Sequence, residues 1–77
     1  MIEQNIKIIS NIDLFFNKYS EDILKKSIEH LSTYDIVRTQ KNLSKEFIIY
    51  YILNTKYNKG EVTIETLYNY QPNYFTK

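Results

Sequence analysis

Residues 44–71 read SKEFIIYYILNTKYNKGEVTIETLYNYQ, and the fold turns on whether they form helices or a hairpin. Phe47–Tyr57 and Glu61–Tyr70 are rich in β-branched and aromatic residues and flank Asn58-Lys59-Gly60, the one strong turn signal in the chain. Pairing the two runs outward from Lys56 and Glu61 sets Phe47, Ile49, Tyr51, Leu53 and Thr55 opposite Tyr70, Tyr68, Thr66, Ile64 and Val62. Such a face would bury well. The helical reading uses other residues. Ser44 is a good N-cap, Thr63, Ile64, Leu67, Tyr68 and Gln71 are spaced like a helix face, and Pro72 ends the run. The apolar run Phe47–Leu53 is apolar on every side, so its periodicity does not choose between the two.

The choice comes from an earlier stretch. Residues 20–40 read SEDILKKSIEHLSTYDIVRTQ, and like residues 44–71 they open Ser-x-[Asp/Glu]-apolar-apolar and end in glutamine. Each glutamine is followed by x-Asn-[Leu/Tyr], first at Gln40–Leu43 and then at Gln71–Tyr74. In the first copy Ser20 caps, Glu21 and Asp22 sit in the first turn where the helix dipole favours them, and Ile23, Leu24, Ser27, Ile28 and Leu31 form an amphipathic stripe. Thr33-Tyr34-Asp35 then opens a short segment with Ile36, Val37 and Gln40 on one side. The first copy is helical by this reading, and a repeat unit shares its structure with its neighbour. Upstream of both, Ser10-Asn11 interrupts an apolar stretch from Ile6 to Phe16 and is placed to cap a helix starting near Ile12.

The same residues resemble the short LSEDFI…YQK-type helical repeats of phage and giant-virus proteins. The similarity rests on Ser20-Glu21-Asp22-Ile23, Tyr34-Asp35-Ile36, Gln40-Lys41 and Leu43-Ser44-Lys45-Glu46-Phe47-Ile48, and it covers mainly residues 19–48. The second copy departs from it, with seven more residues between serine and glutamine and an extra residue, Asn42, before Leu43. The resemblance implies helix-turn-short-helix units and carries no catalytic residues.

Composition narrows the function. Seventy-seven residues make one small domain, which buries only about 60% of its unfolded surface. With no cysteine there is neither disulfide nor thiolate metal site. A net charge of +1 is neither the field of a strongly basic nucleic-acid binder nor that of an acidic DNA mimic. No apolar run approaches the ~20 residues of a membrane span, and Met1–Asn5 lacks a signal-peptide pattern. Ile, Lys, Asn, Tyr and Phe make up 41 of the 77 residues while Ala and Trp are absent, a bias toward AT-rich codons that points to a low-GC bacterium, its phage or a virus. A cytoplasmic setting, the host's if the protein is viral, is expected.

Chemistry has few carriers. His30 is the only histidine, with no nucleophile or carboxylate that a helix would hold beside it. A single glycine excludes a glycine-rich phosphate loop. We expect no enzyme activity, no metal and no cofactor. The aromatic stretch Tyr68, Tyr70, Tyr74 and Phe75 is the candidate protein-binding surface, because a chain this small cannot bury eight tyrosines and four phenylalanines. The second candidate is a helix-turn-helix with Leu43-Ser44 as its turn, Lys45 opening the recognition helix, and Arg38, Lys41 and Lys45 on phosphates. Against it, the recognition helix would be Phe-Ile-Ile-Tyr-Tyr-Ile-Leu, which offers little to read base edges.

The expectation is therefore a mostly α-helical bundle of four or five short helices with two degenerate helix-turn-helix repeats. The alternative is an α+β fold with N-terminal helices on a Phe47–Tyr70 hairpin. The expected function is a non-enzymatic protein–protein interaction module of a phage or mobile element, acting on a host protein as an anti-defence inhibitor does. A homo-oligomer is a further partner state, and a small DNA-binding regulator is the alternative.

Overall fold

A computed structural model describes residues 8–76; Met1–Lys7 and Lys77, and with them Ile6 and the reading of the N-terminus, lie outside the described residues. Every α-helix in it begins at a hydroxyl-bearing residue, and these caps explain the boundaries. Ser10 precedes α1 (Asn11–Phe16), Ser20 precedes α2 (Glu21–Lys26), and Ser32 precedes α3 (Thr33–Thr39). Ser44 precedes α4 (Lys45–Phe47), and Thr63 precedes α5 (Ile64–Tyr70). The Ser20, Ser32, Ser44 and Thr63 hydroxyls each accept from the backbone N–H three residues on, satisfying donors that the first turn leaves free. At Ser10 the backbone N–H instead donates to the Asp13 carboxylate at 2.9 Å.

Short non-α turns complete the chain. α2 runs into a 3₁₀ turn at Ile28–His30, α4 into a π-helical segment at Ile48–Ile52, and α5 is followed by a 3₁₀ turn at Pro72–Phe75. No strand is present among the described residues, so the protein is mostly α-helical and the hairpin alternative is overturned. The reason lies in what each arrangement must bury. An isolated two-stranded hairpin is marginal in water. The capped helix closes its own backbone ladder, and Phe47, Ile48 and Ile52 then bury on one side while Ile49 and Tyr50 face out.

α3 packs against both α1 and α5, which make no comparable contact with each other, so the short helices stack in the order α1, α3, α5 in a body of 44 × 22 × 21 Å. The core comprises Ile9, Leu14, Leu24, Ile28, Leu31, Ile36, Val37, Leu43, Phe47, Ile48, Ile52, Val62 and Leu67. Four pairs in it recur. Ile9/Leu14, Leu31/Ile36, Leu43/Ile48 and Val62/Leu67 sit just before the cap and at the fourth position after it, at the starts of α1, α3, α4 and α5. These are the positions of a hydrophobic staple, which fixes how the chain enters a helix.

The stripe of α2 is narrower than the sequence indicates. Leu24, Ser27, Ile28 and Leu31 are buried, whereas Ile23 is 38% exposed. The buried set follows i, i+3, i+4, i+7, and Ile23 lies about 100° round the helix from Leu24.

The glutamine clasps and the aromatic end of the stack

Both repeat-ending glutamines are buried, Gln40 to 2% and Gln71 to 0% exposure, and they perform the same task one layer apart. The Gln40 carboxamide nitrogen donates to the carbonyls of Leu14 (3.2 Å) and Asn17 (3.1 Å), and its oxygen accepts from the Tyr19 N–H (2.8 Å). The Gln71 nitrogen donates to the carbonyls of Val37 (2.9 Å) and Gln40, and its oxygen accepts from the Leu43 N–H (3.1 Å). A short helix leaves its last carbonyls without partners, and the chain that turns away from it leaves an N–H as well. One carboxamide supplies two donors and an acceptor without a charge to desolvate. Each glutamine therefore closes the end of the helix in the preceding layer.

This bonding defines the repeat by structure. Asn17, Gln40 and Gln71 are the C-caps of α1, α3 and α5, so the unit occurs in a third form that the glutamine count misses. At the α1 end the clasp residue is one methylene shorter and exposed, and Asn17 bonds the Tyr19 hydroxyl instead. The extra Asn42 adopts φ +57°, a left-handed conformation that asparagine tolerates, and absorbs the longer linker. The first residues of α2 and α4 also reach forward along the chain. Glu21 accepts from the N–H and hydroxyl of Ser44, and the Lys45 ammonium donates to the Thr76 carbonyl.

Counting three residues back from each clasp gives Leu14, Val37 and Tyr68. Leu14 and Val37 offer the carbonyls that the next glutamine takes, and their side chains are 1% and 0% exposed. Tyr68 holds the same position on α5, where no described residue adds another layer, and it is 68% exposed. Its ring meets Phe75 edge-on at 5.3 Å between centroids, and Phe75 is itself exposed. One turn earlier on α5, Ile64 is exposed as well.

The four candidate aromatics thus divide. Tyr68 and Phe75 form an open face. Tyr74 is half-buried, packs on the core and meets Phe75 at 5.2 Å, so it backs that face. Tyr70 is half-buried with its ring edge-on to Tyr34, which places it in the α3–α5 contact. Ile64 is the member that sequence reading missed, and the spacing from Tyr68 on one helix was the signal for it.

The three basic candidates are differently engaged. Arg38 bonds Asp35 at 3.1 Å and lies between the rings of Phe15 and Tyr34, 5.1 and 5.0 Å from their centroids. Lys45 is committed to Thr76, and Lys41 is exposed. The outer side of residues 45–52 presents Glu46, Ile49 and Tyr50 beside Lys45, an acidic and apolar surface for a recognition helix. His30 is exposed on an open cleft of about 480 Å³ with Glu29, Lys56, Lys59 and Glu61, both charge signs mixed along its wall. Among the described residues no three His, Asp or Glu side chains gather in a metal-binding arrangement, and no helix is long and apolar enough to cross a membrane. Comparison with protein-family models, curated proteins and solved structures gives no match.

Proposed function

We propose that the protein is a non-enzymatic protein–protein interaction module whose contact surface is the aromatic end of the helix stack. The observation that carries this is Tyr68 standing 68% exposed at a position that is buried in the two preceding layers. Tyrosine and phenylalanine here bring area to a contact at low entropic cost, and the tyrosine keeps a polar tip. The AT-rich composition and the resemblance to phage and giant-virus repeats support a phage or mobile-element protein acting in the host cytoplasm on a host protein, as an anti-defence inhibitor.

The test is capture of a partner from a nuclease-treated lysate of an AT-rich host, followed by titration at two salt concentrations. Tyr68→Ala and Phe75→Ala are each expected to weaken the captured complex by about 2 kcal/mol, roughly 30-fold, with the circular-dichroism spectrum unchanged. Affinity should vary little with salt, given a net charge of +1. Duplex binding that falls steeply with salt, at a log–log slope near 0.9 per phosphate contact, and that is lost on changing Arg38, Lys41 and Lys45, would replace this reading with the DNA-binding one.

A further inference from the structure

Apolar side chains stand open at both ends of the stack, Ile12, Phe15 and Phe16 on α1 as well as Ile64, Tyr68 and Phe75 at the α5 end. What sets the α5 end apart is its backbone. Each clasp takes two carbonyls of the helix before it, that of the C-cap residue and that of the residue three before the C-cap. The first pair is Leu14 with Asn17 and the second is Val37 with Gln40, so the next in register is Tyr68 with Gln71. The Gln71 N–H bonds the Leu67 carbonyl at 2.7 Å, and Pro72, four residues after Tyr68, has no N–H to offer. The Tyr68 carbonyl is thus left for a donor from outside its own helix. The Gln71 carbonyl accepts from the Tyr74 N–H at 2.9 Å and keeps a second lone pair.

We infer that the α5 end docks a unit of this same repeat carried by a different protein: a short helix behind a Ser or Thr cap, with an aliphatic residue four positions before a terminal glutamine. The inference rests on the reading of this face as an interface and adds the chemistry of its occupant. Docking there continues a contact that the chain already makes twice, α1 with α3 and α3 with α5. Those contacts join helices of unlike sequence, NIDLFF, TYDIVRT and IETLYNY, because the clasp addresses backbone carbonyls. What α3 and α5 share is the buried aliphatic four residues before the clasp, Ile36 before Gln40 and Leu67 before Gln71. An incoming unit needs those two features and no particular sequence besides. Both glutamines among the described residues, Gln40 and Gln71, are already engaged, and the clasp position of α1 holds Asn17, one methylene shorter, so the incoming glutamine belongs to another protein. Its carboxamide nitrogen donates to the Tyr68 and Gln71 carbonyls, and its helix lies over Tyr68. Charge does not oppose the docking, because residues 64–75 include one charged side chain, Glu65.

The test adds a peptide of the α5 unit, TIETLYNYQPNYFT, to the intact chain labelled with nitrogen-15. Saturable shifts are expected at the amides of Ile64, Tyr68 and Phe75 and not at those of Phe15 and Phe16. A peptide with alanine in place of its glutamine should bind roughly tenfold more weakly or worse. A free peptide must fold as it docks, so a second measurement builds the unit in. A chain in which residues 41–71 are repeated after Gln71 should unfold at a higher temperature than the parent, with exchange of the Tyr68 amide slowed about tenfold or more. Both gains should vanish when the last glutamine is changed to alanine. Docking seen in either measurement and lost with the glutamine supports the inference. It is overturned by failure in both, by an alanine peptide that binds as well, or by shifts at α1 instead. The outcome is separable from that of the proposed function. A captured partner that depends on Tyr68 and Phe75, with neither measurement positive, removes only the glutamine-ended unit as occupant. Partner capture indifferent to Tyr68 and Phe75 removes the interface reading itself.

Discussion

Replacing Gln71 with alanine is expected to unfold most of the protein at room temperature. The change strips the partners from the Val37 and Gln40 carbonyls and the Leu43 N–H, all within the buried contact between layers. Each orphaned buried group costs about 1–3 kcal/mol, and the missing side chain leaves a cavity besides. A domain of this size holds only about 3–5 kcal/mol in reserve. Gln71→Glu should do no better, since a carboxylate has acceptors alone to offer two carbonyls. Asn17→Ala is the control. The residue occupies the corresponding C-cap but is exposed and bonds only a tyrosine hydroxyl, so its loss should cost under about 1 kcal/mol. Urea unfolding followed by circular dichroism separates these outcomes, and a Gln71→Ala protein as stable as the parent would show that the clasp is incidental.

The second large effect is expected at Phe47. Its side chain is 1% exposed and stacks on Tyr51 at 5.3 Å, which in turn stacks on Tyr57 at 5.9 Å. Phe47→Ala should cost about 3–5 kcal/mol, enough to abolish folding in a chain of this length. The same substitution at Phe16, which is 78% exposed, should stay within about 0.5 kcal/mol. Thermal unfolding of the two variants side by side measures the contrast, and equal midpoints would place the core elsewhere.

What could be read before the structure, and what could not, follows from how local each signal is. The Ser20 and Ser44 caps were legible because each hydroxyl acts on backbone within three residues of itself, whereas Thr63, read as part of a helix face, proves to be the cap of α5. The helical nature of residues 44–71 was legible only through comparison with residues 20–40, because Phe47–Leu53 satisfies strand and helix patterns alike. The turn at Asn58-Lys59-Gly60 was plain from Gly60, whose φ is +91°, but not the part played by Asn58. Its side chain accepts from the Gly60 and Val62 amides and donates to the Val62 carbonyl, so the turn is a bonded node rather than a free spacer.

The clasps show the limit most clearly. Gln40 and Gln71 were visible as a pair of repeat ends, yet their bonds run to residues 21 to 34 positions away, and nothing in sequence spacing reports a carbonyl left unpaired at the end of another helix. The third unit was hidden by the same fact, since α1 carries Asn17 where the others carry glutamine. The aromatic end was legible as composition but not as geometry. Tyr70 and Tyr74 look like Tyr68 in sequence, and only the order of the layers shows that Tyr68 faces outward while they serve the packing.

The claim on which the account stands is that buried glutamine carboxamides join the layers, and hydrogen exchange read by nitrogen-resolved NMR tests it most directly. The Gln40 and Gln71 side-chain NH₂ protons and the Tyr19 and Leu43 amides should exchange orders of magnitude more slowly than the exposed carboxamides of Asn17 and Asn69. Exchange of both glutamine carboxamides at the rate of Asn69 would contradict the account.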